Sequence, residues 1–218
     1  KGEIFECISL MSAFAIITKN INIGSIHLAN NFRHPTIVAK TLSTLSHISN
    51  GRIILFYDYA WRKSEFTQTG ISFERKHTRV QKMIEGLKII KKSFENKKVN
   101  FNGKFYKIKN FICNPKPVKK MPIWLGEADN HLMIKEIVKN ADYFNSMPCN
   151  IEVYKKKIFR IKEECLKQKR NFSSIGQSLE TQILIGKNDL DLKNKIKKII
   201  RLKKINKNYD KDLIARLL

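Results

Sequence analysis

The sequence has 218 residues, a length that fits one domain with a sizeable hydrophobic core. Hydrophobic residues make up 42% of the chain, and the longest apolar runs are only of strand length, so no membrane-spanning helix is predicted. The formal net charge of +24 suggests nucleic-acid binding at first, but 34 of the 43 basic residues are lysines and arginine, the better reader of bases and phosphates, is scarce. We therefore expect no nucleic-acid partner.

The cysteines and histidines predict neither a metal site nor a disulfide. Four cysteines are scattered without a C-x-x-C pair, and five histidines do not flank them at zinc-binding spacing. Free thiols are typical of a reducing compartment, so we expect a cytoplasmic protein. No serine, cysteine or lysine has a base partner at a persuasive spacing, so no catalytic residue is assigned. The chain begins with Lys1 and not with Met, so we expect that the natural start lies upstream or was processed or trimmed.

Helices and strands are predicted to alternate along the chain. An apolar segment without breakers predicts a buried helix over 4–18, and a β-branched segment predicts a strand over 21–28. Pro35 suits the start of a helix over 36–48, which Asn50-Gly51 ends. The later predicted elements are, in order, a strand over 52–56, an amphipathic helix over 77–94, a hairpin over 99–108 with its turn signal at Asn102-Gly103, a strand over 122–126, a helix capped by Asp129 or Asn130 and running to Val138, a strand over 142–147, a helix over 151–169 capped by Asn150, a strand over 178–186, a helix capped by Asp189 and running to about Lys204, and a weakly patterned tail over 206–218.

This alternation predicts a parallel sheet with helices outside it. A doubly wound open sheet and a (β/α)8 barrel both fit, but the G-x-G-x-x-G signature of the dinucleotide-binding open sheet is absent. If the helix over 4–18 is the second of eight, two strands are missing before it and the last strand–helix unit is missing at the end. Because such a barrel takes about 250 residues, we predict an α/β fold of (β/α)8 TIM-barrel type that lacks the first two strands and the last strand. The single domain spans 1–218 with a hairpin insertion near 99–108.

Several stretches share one family pattern. They are "INIGS" (21–25), "FRHPTIVAKTLSTLSHISNGRIIL" (32–55), "EF…GISFERKHTRVQKMIEGLKIIK" (65–91), "FNGKFYKIKNFICNPKPVKKMPIWLG" (101–126) and "NADYFN" (140–145). Together they resemble the luciferase-like monooxygenase family, the flavin- or deazaflavin (F420)-dependent oxidoreductases built on a (β/α)8 barrel. The resemblance is collinear over roughly 4–186, and its specificity comes from the combined motifs R-H-P…S-x-G-R, F-x-G-x-x-Y, P-x-P and P-I-W-x-G followed by A-D.

The resemblance implies an oxidoreductase that acts on paired donors, as a monooxygenase using molecular oxygen or by F420-dependent hydride transfer. FMN or F420 would lie at the carboxyl ends of the strands with a small-molecule substrate. Those ends are predicted at Ile26–Asn31, Tyr57–Trp61, Gly126–Asn130, Asn145–Met147 and Ile185–Gly186. The cofactor-binding residues implied are Asn30, Tyr57, Asp58, Tyr59, Ala60, Gly126 and Glu127.

The chain departs from the family pattern at two of these ends. Tyr57, Asp58 and Tyr59 stand where glycine is expected, and Glu127 follows Gly126. A carboxylate beside a cofactor phosphate weakens binding, and two tyrosine rings either fill the volume of a flavin ring or stack on it.

These departures leave alternatives open. Asp58 is either a base or hydrogen-bonding partner of the ring, or a turn carboxylate bonded to nearby N–H groups. His27 either reaches the barrel centre or faces a helix. The whole chain is either an enzyme or a non-catalytic relative, a degenerate fragment acting as a subunit in a homo- or hetero-oligomer that covers the open barrel edges. The sequence leaves open the substrate, the choice between FMN and F420, and the use of oxygen.

Overall fold

The computed structural model describes residues 4–181 and 183–203, so the predicted tail over 206–218 lies outside the described residues. The elements follow the predicted alternation. They are α1 (Cys7–Ile17), β1 (Leu28–Ala29), α2 (Pro35–Ile48), β2 (Leu55–Asp58), α3 (Lys63–Thr69), α4 (Lys76–Glu95), β3 (Val99–Asn102), β4 (Lys107–Phe111), β5 (Ile123–Gly126), α5 (His131–Asn140), β6 (Tyr143–Ser146), α6 (Ile151–Lys167), β7 (Gly176–Leu179) and α7 (Asp189–Lys203).

Five strands form one parallel sheet in the order β1-β2-β5-β6-β7. Each strand pairs with the next one of this sheet along the chain, as in a barrel wall that has been opened. The two remaining strands, β3 and β4, form a separate antiparallel hairpin. The predicted parallel sheet and the predicted hairpin are both confirmed.

The two faces of the sheet carry different side chains because neighbouring residues of a strand point in opposite directions. On the helix side, Leu55, Tyr57 and Leu125 are fully buried in the main hydrophobic core. On the other side, Phe56, Trp124 and Tyr143 stand next to one another in register across three strands. Trp124 and Tyr143 stack with ring centroids 4.4 Å apart, and Phe56 lies 5.9 Å from Trp124. This aromatic row faces the space that a closed barrel would enclose.

Arg52, the arginine of the S-x-G-R motif, ties the start of the sheet to α1. Its guanidinium donates to the carbonyl oxygens of Ala15 at 2.8 Å, Thr18 at 2.9 Å and Ile21 at 2.8 Å. The Ala15 and Thr18 carbonyls belong to the carboxyl end of the helix, where backbone oxygens lack partners within the helix. The same side chain donates to the carbonyl of Ser49, at 2.7 Å. Arg52 therefore fixes the position of α1 against the sheet.

The predicted strand over 178–186 is wrong in its position. The strand runs over Gly176–Leu179, and Ile183 and Ile185 beyond it are 74% and 76% exposed. Gly176 allows the earlier start because a Cβ there would lie 2.2 Å from the ring of Tyr143 on the neighbouring strand. The strand end predicted at Ile185–Gly186 is therefore replaced by one at Leu179.

The strand predicted over 21–28 is also shorter than expected. A single bridge joins Ile23 to Ile53, and regular pairing is confined to Leu28 and Ala29. This segment pairs with a neighbour on one side only, and Ile26 on it is 64% exposed, so few contacts hold it extended.

Two further features differ from the prediction. The short helix α3 was not expected, because its seven residues are mostly polar and carry no apolar stripe. Helix α7 begins at Asp189, but the side chain that caps it is that of Asn188, which accepts the N–H of Asp191 at 2.9 Å. The predicted caps of α5 and α6 are confirmed at Asn130 and Asn150.

Candidate functional site

A pocket of about 330 Å³ lies where β1, β2 and β7 end. This is the carboxyl edge of the sheet, the edge at which barrels of this type build their active sites. The lining is both apolar and ionisable. Its apolar side chains include those of Ile26, Ala29 and Met147, and its ionisable side chains are those of His27, Asp58, Arg62, Glu65 and Glu180.

Asp58 ends β2 and is the most buried ionisable group of the pocket, with 2% of its surface exposed. Its Oδ1 accepts the backbone N–H of Ala60 at 2.5 Å, so the predicted turn contact exists, and the side chain also lines the pocket. Burial raises the pKa of this carboxyl group above its ordinary range, although His27, the Ala60 N–H and Arg79 act in the opposite direction. The neutral acid is therefore favoured over a wider pH range than for an exposed aspartate.

Glu180 is held in place by a chain of polar contacts from neighbouring strands. Its Oε1 accepts the Nδ2–H of Asn145 at 2.6 Å, and the Oδ1 of Asn145 accepts the hydroxyl of Ser178 at 2.6 Å. The Nε2 of His27 lies 3.5 Å from the same Oε1. His27 therefore points toward the pocket, and its ring packs edge-on against Phe56 with the centroids 4.5 Å apart.

Sequence reasoning missed Glu180. The strand that carries it was predicted to continue to 186, which placed Glu180 within a strand and not at its end. The local signal was weak, because β7 reads Gly-Gln-Ser-Leu and has no apolar run whose end would mark the end of the strand.

Two loops of the site hold non-glycine residues in the left-handed conformation. Ala60 has a φ of 57° and Glu127 a φ of 62°, values that glycine adopts without steric cost. The glycine-like backbone at these strand ends is therefore present, but it lies at Ala60 and Glu127 and not at Tyr57, Asp58 or Tyr59.

Asn30 and Tyr57, both predicted as cofactor contacts, lie on the helix side of the sheet. The hydroxyl of Tyr57 donates to Oδ1 of Asn30 at 2.5 Å, and the Nδ2 of Asn30 donates to the hydroxyl of Tyr106 at 3.0 Å. Gly86 of α4 leaves room for this chain, since a Cβ there would lie 2.2 Å from Oδ1 of Asn30. These contacts join β2, α4 and the hairpin.

Tyr59 is 4% exposed and also lies outside the pocket lining. The guanidinium carbon of Arg79 lies 6.0 Å from its ring centroid, and the Nε of Arg79 donates to the carbonyl of Ala60 at 3.2 Å. The rings of Tyr57 and Tyr59 therefore do not fill the pocket, and a cofactor contact at either residue stays a prediction.

The strand end at Gly126 and Glu127 has an acidic character. The Oε1 of Glu127 is buried without a hydrogen-bond partner, and burial raises the pKa of this carboxyl group. The nearby cations are already engaged. Lys76 pairs with Asp129 at 2.6 Å, Lys157 donates to the hydroxyl of Ser146 at 3.0 Å, and Arg160 donates to the carbonyl of Ala128 at 3.2 Å.

A larger cavity of about 480 Å³ lies at the opposite edge of the sheet, beside Ile123 and Asp142. Its walls include Lys91, Lys119 and Lys139. Asp142 is already paired with Lys120, at 2.6 Å. This cavity lies at the amino ends of β5 and β6, the edge that barrels use for stability and not for chemistry.

Within the described residues no group of three or more histidine, cysteine or acidic side chains is placed to hold a metal ion. The four cysteines are free thiols. Over the same part of the chain, no helix combines the length and the hydrophobicity that crossing a membrane requires.

Comparison with known proteins identifies the family. The family model for luciferase-like monooxygenase matches residues 1–215, so the chain belongs to that family. An F420-dependent glucose-6-phosphate dehydrogenase of Amycolatopsis mediterranei is 24% identical over 79% of this chain and 53% of its own length. A pyrimidine monooxygenase, RutA, of Acinetobacter baylyi is 28% identical over 63% of this chain and 37% of its own length.

Solved structures agree on the fold. The coenzyme F420 dependent tetrahydromethanopterin reductase of Methanopyrus kandleri superposes with a TM-score of 0.78 at 21% identity, over 90% of this chain and 61% of that one. The long-chain alkane monooxygenase LadA gives a TM-score of 0.77 at 19% identity, over 91% of this chain and 51% of that one. The chain therefore has the (β/α) barrel fold of luciferase-like enzymes, and it spans about half the length of the curated relatives it matches.

Proposed function

We propose that this chain carries the ring-binding part of an oxidoreductase that uses a flavin-type cofactor, FMN or F420, on a small-molecule substrate. The observation that carries the proposal is the pocket formed by His27, Asp58 and Glu180 at the carboxyl ends of three parallel strands. Relatives of this chain include an F420-dependent dehydrogenase and an FMNH2-dependent monooxygenase, and the cofactors of both carry a planar ring system that forms hydrogen bonds.

The pocket fits such a ring. Its volume of about 330 Å³ lies at the lower end of the range for small-molecule pockets, about 300–1,000 Å³, which suits a ring and not a ring with a long tail. Its walls combine apolar side chains with a larger share of polar and ionisable groups, which can form hydrogen bonds with the polar edge of such a ring. The left-handed backbone at Ala60 brings main-chain atoms to the pocket wall.

The neighbouring strand end does not fit a phosphate. A phosphate placed at Gly126 and Glu127 would meet a carboxyl group with a buried, unpartnered oxygen, and of the cations nearby Lys76 is paired with Asp129 while Lys157 donates to the hydroxyl of Ser146. The ring is therefore expected to supply the binding energy, with little contribution from a phosphate at this loop.

When bound, a flavin-type ring supplies hydride or electron transfer. The chain's own residues position that ring and exclude water from one of its faces. Ile26, Ala29 and Met147 provide apolar side chains, while Asp58 in its neutral form holds a proton at the pocket wall. His27 and Glu180 provide further polar groups.

A fluorescence titration of the purified chain with riboflavin, FMN and F420 tests the proposal. We expect riboflavin and FMN to bind with dissociation constants within about threefold of each other, because the phosphate finds no open site. Glu127→Gly should strengthen FMN binding relative to riboflavin, whereas Lys169→Gly, a change at an exposed left-handed position far from the pocket, should not. Failure of all three ligands to bind would refute the proposal.

One observation favours a second candidate, a non-catalytic subunit. Both borders of the sheet expose large apolar side chains, including Ile16 and Ile17 at 72% each on α1 and Ile183 and Ile185 beyond β7. Such surfaces are normally covered by further strands or by a partner chain. Size measurement by light scattering after chromatography, together with turnover of the bound cofactor, separates the candidates. A monomer that reduces or oxidises its cofactor at ordinary enzyme rates would exclude the subunit reading.

A further inference from the structure

Three ionisable side chains reach the pocket from three separate places in the chain. His27 precedes β1, Asp58 ends β2, and Glu180 follows β7. All three line the same pocket, although β1 and β7 lie at opposite borders of the sheet. The Nε2 of His27 and Oε1 of Glu180 are 3.5 Å apart, so these borders meet across the pocket. Three ionisable groups therefore face one pocket, and a ligand must match their donors and acceptors in order to bind there.

The two carboxyl groups differ in what they offer a ligand. Asp58 is 98% buried, its Oδ1 is occupied by the Ala60 N–H, and burial raises its pKa, so the protonated acid has an O–H to donate. The Glu180 side chain is 28% exposed, its Oε1 accepts from Asn145, and the Nε2 of His27 lies 3.5 Å from the same oxygen, so this carboxyl group already acts as an acceptor. One group is thus suited to donate a hydrogen bond and the other to accept one.

We propose that Asp58 and Glu180 together recognise the edge of a ring at which a carbonyl group adjoins an N–H group. Asp58 donates to the carbonyl oxygen, Glu180 accepts from the N–H, and His27 holds Glu180 in position. The pyrimidine part of a flavin or deazaflavin ring carries such an edge at N3–H and its two neighbouring carbonyls. This inference rests on the proposed function, and it assigns specificity to Glu180 and His27, which sequence reasoning did not select as ligand contacts.

Other ligand classes fit the pocket less well. An anion would face two carboxyl groups, and no metal-binding cluster exists among the described residues. The rim charges Arg62 and Glu65 pair with each other at 3.2 Å, so they leave no net charge to attract an ionic ligand. A neutral ring with one donor and one acceptor satisfies both carboxyl groups without adding charge.

The ligand itself provides a test that involves no change in the protein. N3-methylriboflavin lacks the N–H that Glu180 would accept, and we expect it to bind about tenfold or more weakly than riboflavin to the wild-type chain. In Glu180→Ala this difference should shrink to about twofold. If the methylated ligand binds the wild-type chain as tightly as riboflavin does, the inference is overturned.

The pH dependence of riboflavin binding tests whether Asp58 is protonated when it binds the ring. The charged and titratable groups facing Asp58 are His27, Tyr59, Arg79, Glu127 and Glu180. Asp58→Asn keeps a donor that cannot ionise and leaves all the others in place. Riboflavin binding to the wild type should weaken with rising pH at values above those at which an exposed aspartate titrates, because the acid then loses its proton, and binding to Asp58→Asn should lack this component.

Two outcomes separate this inference from the function on which it rests. If no ring ligand binds, the proposed function fails. If riboflavin binds but Asp58→Asn shows the same pH dependence as the wild type, the function stands and the donor role of Asp58 is refuted. Asp58→Ala, which removes the donor, should weaken riboflavin binding about tenfold, with folding of each variant checked by circular dichroism.

Discussion

Replacing Glu127 by glycine should stabilise the protein, although most substitutions destabilise. Glu127 adopts a φ of 62°, and a non-glycine residue in this conformation costs about 1–2 kcal/mol. The buried Oε1 without a partner adds about 1–3 kcal/mol. Glycine itself lowers the stability by about 0.5–1 kcal/mol, because its unfolded chain has more conformational freedom to lose on folding. The expected gain is therefore about 1–4 kcal/mol in the free energy of unfolding.

Urea unfolding at neutral pH measures this gain, and two variants separate its parts. Glu127→Ala removes the carboxylate but keeps the strained backbone. Lys169→Gly relieves strain at a φ of 54° on an exposed side chain, with no buried carboxylate. We expect Glu127→Gly to be more stable than Glu127→Ala, and Lys169→Gly to gain no more than about 1 kcal/mol. A Glu127→Gly variant no more stable than the wild type would refute the reasoning.

The gain should also depend on pH. Burial, with a smaller contribution from Asp129, raises the pKa of Glu127 in the folded state, so the unfolded chain releases this proton at a lower pH. The stability that the protonated form contributes is therefore present below about pH 4 and is lost as the pH rises through the folded-state pKa. The advantage of Glu127→Gly over the wild type should grow as the pH rises from about 4 to about 7.

Three further substitutions test contacts that position the site. Arg52→Ala removes the donor to three carbonyls near the end of α1 and should cost about 2–4 kcal/mol in urea unfolding, with α1 becoming a site of rapid proteolysis. Tyr57→Phe leaves Oδ1 of Asn30 without its 2.5 Å donor and should cost about 1–2 kcal/mol by the same measurement. Gly86→Ala should destabilise by about 1–3 kcal/mol despite the better helix propensity of alanine, since its Cβ would lie 2.2 Å from Oδ1 of Asn30. An unchanged unfolding midpoint in any of them would contradict the role given to that contact.

Local signals in the sequence predicted most of the fold. Asn130 and Asn150 each place a side-chain oxygen at the start of a helix, and Pro35 opens another, so these three boundaries follow from neighbouring residues alone. The turn signal at Asn102-Gly103 likewise predicted the hairpin over 99–108. The length of β7 was missed because it depends on the fit between Gly176 and a ring on the neighbouring strand.

The site was predictable only in part. Its location at strand ends followed from the barrel fold, and Asp58 was identified because the family resemblance placed residues 57–61 at the end of a strand. The directions of Tyr57 and Tyr59 were predictable from the alternation of β2, in which Leu55 and Tyr57 share one face and Phe56 and Asp58 the other. The place of Glu180 in the site was not predictable, because its contact with His27 joins the two borders of the sheet and depends on the curvature of all five strands.

The most direct test of the account is a crystal structure of the chain with riboflavin. Density for the ring should lie in the pocket of His27, Asp58 and Glu180, with its pyrimidine edge toward the two carboxyl groups. Density in the basic cavity lined by Lys91 and Lys139 at the opposite edge of the sheet would contradict it. So would a pocket that stays free of ligand at a riboflavin concentration that saturates binding in solution.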